Sequence, residues 1–368
     1  MVAVKAGKQD RMLLTAVLVL EITGLLILYS ASAYNGQVRF ADEGYYLKKQ
    51  LFAAVLGMAA MTMISRIDYH RIARFAPAAY IGSWILSGAV LLVGDAYNGS
   101  RRWLSIGPLS FQPSEFAKPA VILFLSHLIS KKEKVGNGLG SLIGCIVLVL
   151  PIVALVGTNN LSTAIIILGI AVILAFVSRP GYAQFLWIGL AGTGVVTIFL
   201  MMEQYRLERL AIWKNPEAHE KGFQTIQGLY AIGSGGLFGV GFGNGVQKLG
   251  FVPEAQNDMI FSIVCEELGI LGGIILLLLF AYLLYRLFFI AQNAPDMFGS
   301  LMVSGIFIHI ALQVIFNIAV VLNLMPNTGV TLPFVSYGGT SIVFLMSEMG
   351  LALSVARQIK FKEPERLL

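Results

Sequence analysis

The first candidates for chemistry are the few ionisable side chains that lie beside or within long apolar runs. Glu115 and Lys118 are three residues apart and follow Pro113, a residue that suits the first turn of a helix. A helix that begins there places both side chains on one face. They form either a structural ion pair near a helix start or a polar cavity in which Lys118 binds an anionic ligand, since charges at membrane depth are costly.

A second candidate lies where a polar segment meets an apolar run. Asp258 immediately precedes the run that starts at Met259. At this place it can serve as a residue of a helix N-terminus, which the helix dipole favours, or as a general base in a partly desolvated site. Glu266 and Glu267 follow two turns later, where we expect one of them to pair with Lys118 across a helix bundle.

Other segments could bind a phosphate group. Arg101 and Arg102 precede Trp103, which fits either an interfacial anchor or a pair of cations for phosphate. The glycine-rich stretch at 233–245 provides either irregular backbone that packs against helices or backbone amides that receive a diphosphate. A second irregular stretch, at 326–340, must be buried in protein or line a wet cavity if it lies near a membrane.

Polar residues also occur inside the next-to-last apolar run. His309, Gln313 and Asn317 recur every four residues, so they share one helical face. Hydrogen bonds to neighbouring helices are their expected role. Glu21 and Glu348 lie in other apolar runs, and the sequence indicates no partner for either.

The composition places all these residues in a membrane protein. Of 368 residues, 57% are hydrophobic and 12% are charged, with a mean hydropathy of +0.78, whereas soluble domains are roughly 45–50% apolar and ~25% charged. So few charges cannot cover a water-facing surface. The net charge of +6 lies mostly at the ends of apolar runs and indicates no nucleic-acid partner. Cys145 and Cys265 lie inside apolar runs and form neither a disulfide framework nor a metal-ligand spacing.

The elements that must position these side chains are transmembrane helices. The apolar runs predict an all-α polytopic membrane protein, a single domain over residues 1–368 with ten spanning helices. The predicted spans are 12–33, 48–65, 74–94, 113–130, 139–157, 160–178, 183–203, 258–290, 299–324 and 340–358.

Basic residues predict the orientation of these spans. Fifteen Lys and Arg residues fall at the termini and in the loops of one side, against five in the short loops of the other side. Both termini are therefore expected in the cytoplasm. The long segment at 204–257, between the seventh and eighth spans, is then extracytoplasmic, and its many aromatic residues argue against disorder.

Several motifs in register resemble the SEDS family of bacterial cell-wall proteins, which comprises FtsW, RodA and SpoVE. The motifs are Arg-Trp-Leu at 102–104, Phe-Gln-Pro-Ser-Glu-Phe-Ala-Lys at 111–118, Pro-Glu-Ala-Gln-Asn-Asp at 253–258, Glu-Glu-Leu-Gly at 266–269 and Pro-Phe-Val-Ser-Tyr-Gly-Gly at 333–339. The resemblance covers almost the whole chain, and the segment at 221–236 looks more like FtsW or SpoVE than RodA.

This resemblance implies a peptidoglycan glycosyltransferase that polymerises lipid II into glycan strands at the outer face of the bacterial cytoplasmic membrane, with cell division as the expected process. It also implies a class B penicillin-binding protein and other divisome or elongasome membrane proteins as partners. A lipid II flippase and a noncatalytic divisome scaffold are the alternatives. Asp258 matches the essential aspartate of the family, and a scaffold or a flippase should tolerate asparagine there.

The residues fit such a reaction. Forming a β-1,4 bond from an α-linked lipid diphosphate inverts the anomeric carbon, so one base on the acceptor hydroxyl suffices, and Asp258 suits that role. Lys118, Arg102 and a divalent cation such as Mg²⁺ or Mn²⁺ are expected to stabilise the leaving diphosphate. Glu115 is expected either to orient Lys118 or to hold the polar cavity together. The predicted site also includes Ser336, with Glu267 and Gln256 in supporting roles, and no organic cofactor is expected.

Overall fold

A computed structural model describes residues 7–97, 100–106, 109–132, 139–178 and 204–359, together with residues 189, 192–194 and 197. The predicted span at 183–203 lies outside these described ranges except for those isolated positions. The other nine predicted spans correspond to helices, most of which begin and end within a few residues of the predicted limits.

The described part of the chain is mainly helical. Its α-helices are α1 Gly7–Phe40, α2 Tyr45–Arg66, α3 Tyr69–Ala73, α4 Ala76–Val93, α5 Pro113–Lys132, α6 Leu139–Gly157, α7 Leu161–Ser178, α8 Gln204–Lys214, α9 Phe223–Gly235, α10 Ile260–Gln292, α11 Met297–Val321 and α12 Gly339–Ala356. Two short 3₁₀ turns, Pro216–Ala218 and Glu220–Gly222, join α8 to α9.

Seven of the described helices are long and apolar enough to cross a membrane, namely α1, α2, α4, α7, α10, α11 and α12. α6 is apolar over a shorter stretch, and α5 carries Glu115 and Lys118 in its first turns. The chain is therefore a multi-pass membrane protein. The count of ten spans and the orientation of the chain stay predictions.

The sequence did not predict the structure of the loop between α4 and α5. This loop forms three short strands, β1 Asp95–Tyr97, β2 Ser100–Ile106 and β3 Leu109–Phe111, in one antiparallel sheet of order β1-β2-β3. A loop that leaves one helix and returns at the same end can pair its own backbone groups in hairpins. Thr340 Oγ1 donates to the Ser110 carbonyl at 2.9 Å and so ties the sheet to α12.

The helices fall into two packing groups. α12 packs chiefly against α2, whereas α11 packs chiefly against α10, α5 and α7. α1 contacts both groups through α2 and α10. The buried apolar side chains of all these helices form one continuous core.

The segment predicted as one long loop at 204–257 is an ordered structure that enters the helix bundle. After α8 and the 3₁₀ turns, α9 lies along the first part of α10, where Gly235 packs directly on the Cys265 carbonyl. The chain then reverses through residues 236–250, which we name the inserted loop. Five glycines in this loop have positive φ, and a Cβ on Gly239 would lie only 2.1 Å from the Glu267 carbonyl oxygen.

The inserted loop pairs with a break in α10. At Gly269 the backbone leaves the helical conformation, with φ of 71° and ψ of −175°. The carbonyls on the N-terminal side of the break accept from the loop, with Val240 N–H bonding to Glu266 at 3.0 Å. On the other side, Ile270 N–H donates to the Gly236 carbonyl at 2.9 Å. The loop thus replaces hydrogen bonds that the broken helix lacks, which a membrane requires.

Candidate active site

Asp258 lies two residues before α10 and is buried beside polar side chains of α8 and α9, and we name these surroundings the Asp258 pocket. Only 8% of the residue is exposed, and its Oδ1 accepts one long hydrogen bond, from Gln224 Nε2 at 3.3 Å. Burial is the main cause that raises the pKa of Asp258 from 3.8 to about 6, and the nearby Glu254 charge adds to it. Arg209 and the Gln224 bond act in the opposite direction. Asp258 is thus a carboxylate of raised basicity, as a general base requires.

The backbone around Asp258 is held from α11. Asn317 Nδ2 donates to the carbonyls of Asp258 and Val330, both at 2.8 Å. One amide therefore joins the start of α10 to the irregular segment at 326–338, which we name the cup segment. Asn317 is fully buried, and its two bonds reach irregular backbone, where the sequence predicted bonds to neighbouring helices.

Ser336 fixes the cup segment against the residue before Asp258. Its Oγ donates to the Asn257 carbonyl at 2.6 Å and accepts from Leu332 N–H at 2.8 Å. Ser336 is therefore brought to the site, but it contacts the backbone beside Asp258. These bonds make it a residue that shapes the pocket.

Gln256 also lies next to Asp258 and faces away from its carboxylate. Its side-chain oxygen accepts from Asn35 Nδ2 of α1 at 2.9 Å, and its carbonyl accepts from Tyr337 N–H at 2.9 Å. Gln256 is 1% exposed. It therefore ties the start of α10 to α1 and to the cup segment.

Glu115 and Lys118 form a buried ion pair that is linked to the cup segment through Gln313 of α11. Lys118 Nζ lies 2.9 Å from Glu115 Oε1 and 3.4 Å from Gln313 Oε1, and only 2% of the lysine is exposed. Gln313 Nε2 in turn donates to the Thr331 carbonyl at 3.1 Å. The pair therefore reaches the Asp258 pocket through α11 and the cup segment.

The expected pairing of Glu266 or Glu267 with Lys118 is wrong. Glu267 Oε1 lies 2.5 Å from Lys248 Nζ, and the carboxylate also accepts from Ser30 Oγ and Gly243 N–H. Glu266 Oε1 accepts from two backbone groups of the inserted loop, Val246 N–H at 2.8 Å and Gln247 N–H at 3.0 Å. Both carboxylates lie on the face of α10 that meets the inserted loop, so Lys118 is out of their reach.

Arg102 lies at the edge of the bundle, in a small pocket between the sheet and the ends of α4, α5 and α6. Its Nε donates to the Asn159 carbonyl at 2.8 Å. Arg101, which shares the pocket, donates to the carbonyls that end α4, so it caps that helix. The buried Ser87 hydroxyl, which has no hydrogen-bond partner among the described residues, also lines this pocket.

The sequence analysis missed two residues of the Asp258 pocket, Gln224 and Arg209. Arg209 Nη1 donates to the Asn327 carbonyl at 3.0 Å, and Asn327 Nδ2 donates to Gln224 Oε1 at 3.0 Å. Gln224 then bonds to Asp258. The sequence feature that could have indicated them is the group of polar and basic residues in α8 and at the start of α9. It was not separated from the rest of the segment at 204–257, which was treated as one loop.

The Asp258 pocket is compatible with a divalent cation, although the protein supplies few ligands for one. The described residues contain no group of three or more His, Cys, Asp or Glu side chains that could hold a metal ion. Mg²⁺ commonly takes one or two carboxylates and completes its ligands from substrate phosphates and water. Asp258 and the neighbouring Glu254 could supply such carboxylates.

Comparison with known proteins places the chain in a family. The sequence model described as "Cell cycle protein", which covers FtsW, RodA and SpoVE, matches residues 10–361. The chain belongs to the FtsW/RodA/SpoVE family. It is 38% identical over 365 residues to stage V sporulation protein E of Bacillus subtilis, an alignment that covers 97% of this chain and 99% of that protein.

Other relatives and solved structures agree with this assignment. The probable peptidoglycan glycosyltransferase FtsW of Trichlorobacter lovleyi is 34% identical, with 97% of this chain and 95% of that protein covered. A chain of a peptidoglycan synthase complex that coordinates polymerization and crosslinking is similar with a TM-score of 0.79 and 29% identity, over 94% of this chain and 96% of that one. The rod shape determining protein RodA of Thermus thermophilus is similar with a TM-score of 0.71 and 28% identity, over 95% and 97%. The resemblance inferred from the motifs is therefore confirmed.

Proposed function

We propose that this member of the FtsW/RodA/SpoVE family is a peptidoglycan glycosyltransferase that polymerises lipid II at the outer face of the cytoplasmic membrane, with Asp258 as its general base. The observation that carries the proposal is the state of the Asp258 carboxylate. It is buried at the start of a membrane-spanning helix, its pKa is raised to about 6, and its hydrogen bond from the Gln224 side chain is long, at 3.3 Å. Relatives named peptidoglycan glycosyltransferase support the reaction class.

The chemistry needs one base and no enzyme nucleophile. The 4-hydroxyl oxygen of the acceptor sugar attacks the anomeric carbon of the donor, the bond from that carbon to the diphosphate breaks, and the hydroxyl proton passes to Asp258. Configuration inverts from α to β in this single displacement. A carboxylate with a pKa near 6 is ionised at neutral pH and is more basic than an ordinary aspartate.

The leaving diphosphate needs positive charge more than it needs a proton. Arg209 is the exposed cation that acts on Asp258 and lies beside the cup segment, and Arg102 lies in the pocket near the sheet. We assign contact with the diphosphate to these arginines, aided by a Mg²⁺ or Mn²⁺ ion that the diphosphate itself helps to bind. Lys118, which Glu115 orients, supports the diphosphate site indirectly, because Gln313 links it to the cup segment.

The partner proposed is a class B penicillin-binding protein within a larger assembly of divisome or elongasome membrane proteins. The similarity to a chain from a peptidoglycan synthase complex supports a partner of this kind. The family description "Cell cycle protein" supports cell division as the process in which the protein works, whereas the relative named stage V sporulation protein E supports sporulation. A lipid II flippase and a noncatalytic scaffold are the competing functions that the experiment below must separate.

The test measures glycan strands formed from labelled lipid II by the purified protein with its class B partner. The variants are Asp258→Asn and, as a matched control, Glu208→Gln, which alters an exposed carboxylate paired with Lys221 in the same extracytoplasmic segment. We expect wild type and Glu208→Gln to polymerise lipid II, and Asp258→Asn to lose at least a hundredfold in rate, which is the range of general base catalysis.

The outcomes separate the three functions. Polymerisation by Asp258→Asn at the wild-type rate would show that Asp258 is not the base. Absence of polymer from the wild type, together with movement of lipid II across vesicle membranes that Asp258→Asn retains, would support the flippase. Neither activity in the wild type would support the scaffold.

A further inference from the structure

A buried pair of ionisable side chains lies in the spanning helices and takes no part in the reaction proposed above. His309 of α11 and Glu348 of α12 are 2% and 0% exposed, and His309 Nδ1 lies 2.9 Å and 3.1 Å from the two carboxylate oxygens. A carboxylate at this depth is costly even when it is paired. Apolar side chains would join the two helices without that cost, so the pair requires an explanation beyond helix packing.

The pair joins helices that otherwise belong to different packing groups. α11 packs chiefly against α10, α5 and α7, while α12 packs chiefly against α2. The His309–Glu348 contact is therefore a directional link between the two groups. Directional bonds specify relative position more narrowly than apolar contacts do, because they are lost when one helix slides or turns against the other.

The same two helices hold both ends of the cup segment. α11 carries Gln313 and Asn317, one and two turns beyond His309, and these residues hold Thr331, Val330 and the Asp258 carbonyl. α12 begins at Gly339, directly after the cup segment. Glu115 also lies within electrostatic reach of His309. A shift of α11 against α12 would therefore move the cup segment relative to Asp258.

We propose that His309 and Glu348 are positioning residues, which set the position of α11 against α12 and so hold the cup segment in register over Asp258. This proposal rests on the proposed function, because it concerns the geometry of the same site. It assigns a role to both residues, which the sequence left without a specific function. A misplacement of reacting groups by about 1 Å can cost roughly a hundredfold in rate.

Stability and activity can be separated by removing both ionisable groups at once. Replacement of a buried ion pair by apolar residues of similar volume is often neutral or stabilising, whereas removal of one partner leaves an unpaired buried charge. The decisive variant is therefore His309→Leu/Glu348→Leu, compared with Glu348→Leu alone. Ser126→Ala, which changes a buried hydroxyl of α5 outside this network, is the control.

The experiment measures the thermal unfolding midpoint, kcat and KM for lipid II polymerisation with the class B partner present. We expect the double leucine variant to unfold at or above the wild-type temperature while its kcat falls roughly tenfold to a hundredfold and its KM stays within about twofold. His309→Lys keeps a hydrogen-bond donor toward Glu348 and is expected to retain more of the wild-type kcat than the double leucine variant. Ser126→Ala is expected to match the wild type in all three quantities.

Each other result overturns the proposal. A stable double leucine variant with wild-type kcat would show that the pair has no positioning role, and a parallel loss of stability and kcat would show a merely structural one. If that variant does not fold, His309→Gln/Glu348→Gln replaces it, and wild-type kcat there overturns the proposal as well. A wild type that forms no glycan would remove the proposed function and this inference with it, a result distinct from the previous ones.

Discussion

Asp258 and the Glu266–Glu267 pair lie within three helical turns of one another, but their carboxylates are held very differently. Asp258 accepts one hydrogen bond at 3.3 Å, while its backbone is fixed by Asn317. Glu267 accepts from Lys248, Ser30 and Gly243, and Glu266 accepts from two backbone amides of the inserted loop. The structure thus fixes the position of Asp258 without neutralising its charge.

This difference separates the carboxylate that we propose as the general base from carboxylates that hold the fold together. Donors that stabilise an ionised carboxylate lower its basicity, so a general base must have few of them. The same donors make a buried carboxylate a strong structural link. The number and kind of groups on each carboxylate therefore distinguish their roles better than burial does, because all three residues are buried.

The largest expected effect tests the structural side of the comparison. Lys248→Met leaves Glu267 buried without its cation, and breaking such a pair costs about 3–5 kcal/mol. Thermal unfolding in detergent or nanodiscs should show a large drop in the midpoint. The double variant Lys248→Met/Glu267→Leu removes both charges and should recover most of that loss. A single variant that unfolds at the wild-type temperature would contradict the structural role of Glu267.

The next effect concerns the stability cost of Asp258. Its pKa is raised from 3.8 to about 6, so the folded protein binds the proton more tightly than the unfolded chain does. Wild-type stability should fall as pH rises through this interval and stay level above it, and Asp258→Asn should lack this fall. Above pH 6 the variant should be more stable by about 2–3 kcal/mol. Unfolding midpoints at pH 4.5 and pH 8 measure the difference, and equal midpoint shifts at both values would argue against the raised pKa.

A smaller effect is expected at the wall of the Asp258 pocket. Ser336→Ala leaves the Leu332 N–H and the Asn257 carbonyl without their partner, at a cost of about 1–3 kcal/mol. We expect a lower kcat because the backbone beside Asp258 loosens. The pH at which kcat is half-maximal should stay unchanged, since Ser336 does not bond to the carboxylate. A shift in that pH would show that Ser336 acts on the charge of Asp258.

The smallest effect tests the single side-chain bond to the reactive carboxylate. Gln224 stabilises the ionised form of Asp258, so Gln224→Leu should raise the Asp258 pKa further. Wild-type kcat should rise with pH through about 6, and the variant's midpoint should lie higher by about half to one pH unit. Gln227→Leu, one turn along α9, serves as the control. Identical pH profiles for Gln224→Leu and the wild type would show that the bond is absent during catalysis.

Much of the fold follows from local features of the sequence. Long apolar runs predicted the spanning helices, and Pro113 marked the start of α5. Asp258 was correctly placed beside the start of a spanning helix, because the change from polar to apolar residues at this point is sharp. The four-residue spacing of His309, Gln313 and Asn317 correctly indicated hydrogen bonds to other parts of the bundle.

The missed features depend on contacts between distant parts of the chain. Whether Glu267 pairs with Lys118 or Lys248 depends on which face of α10 meets the inserted loop, and no local pattern contains that information. The loop itself is recognised only through its main-chain pairing with the break at Gly269. Hydropathy does not report backbone pairing, so the apolar run predicted one continuous span over 258–290. The short strands between α4 and α5 were missed for a similar reason.

The break in α10 also determines how the protein can be made. The ribosome produces the inserted loop before α10, so the main-chain groups around Gly269 emerge after their partners already exist. Until the loop docks, the broken helix carries unpaired backbone groups that hydrocarbon strongly disfavours. Stable insertion of α10 and docking of the loop must therefore occur together during biogenesis. A nascent chain whose loop cannot dock would present those groups to the lipid bilayer, where membrane quality control could recognise it as unfinished.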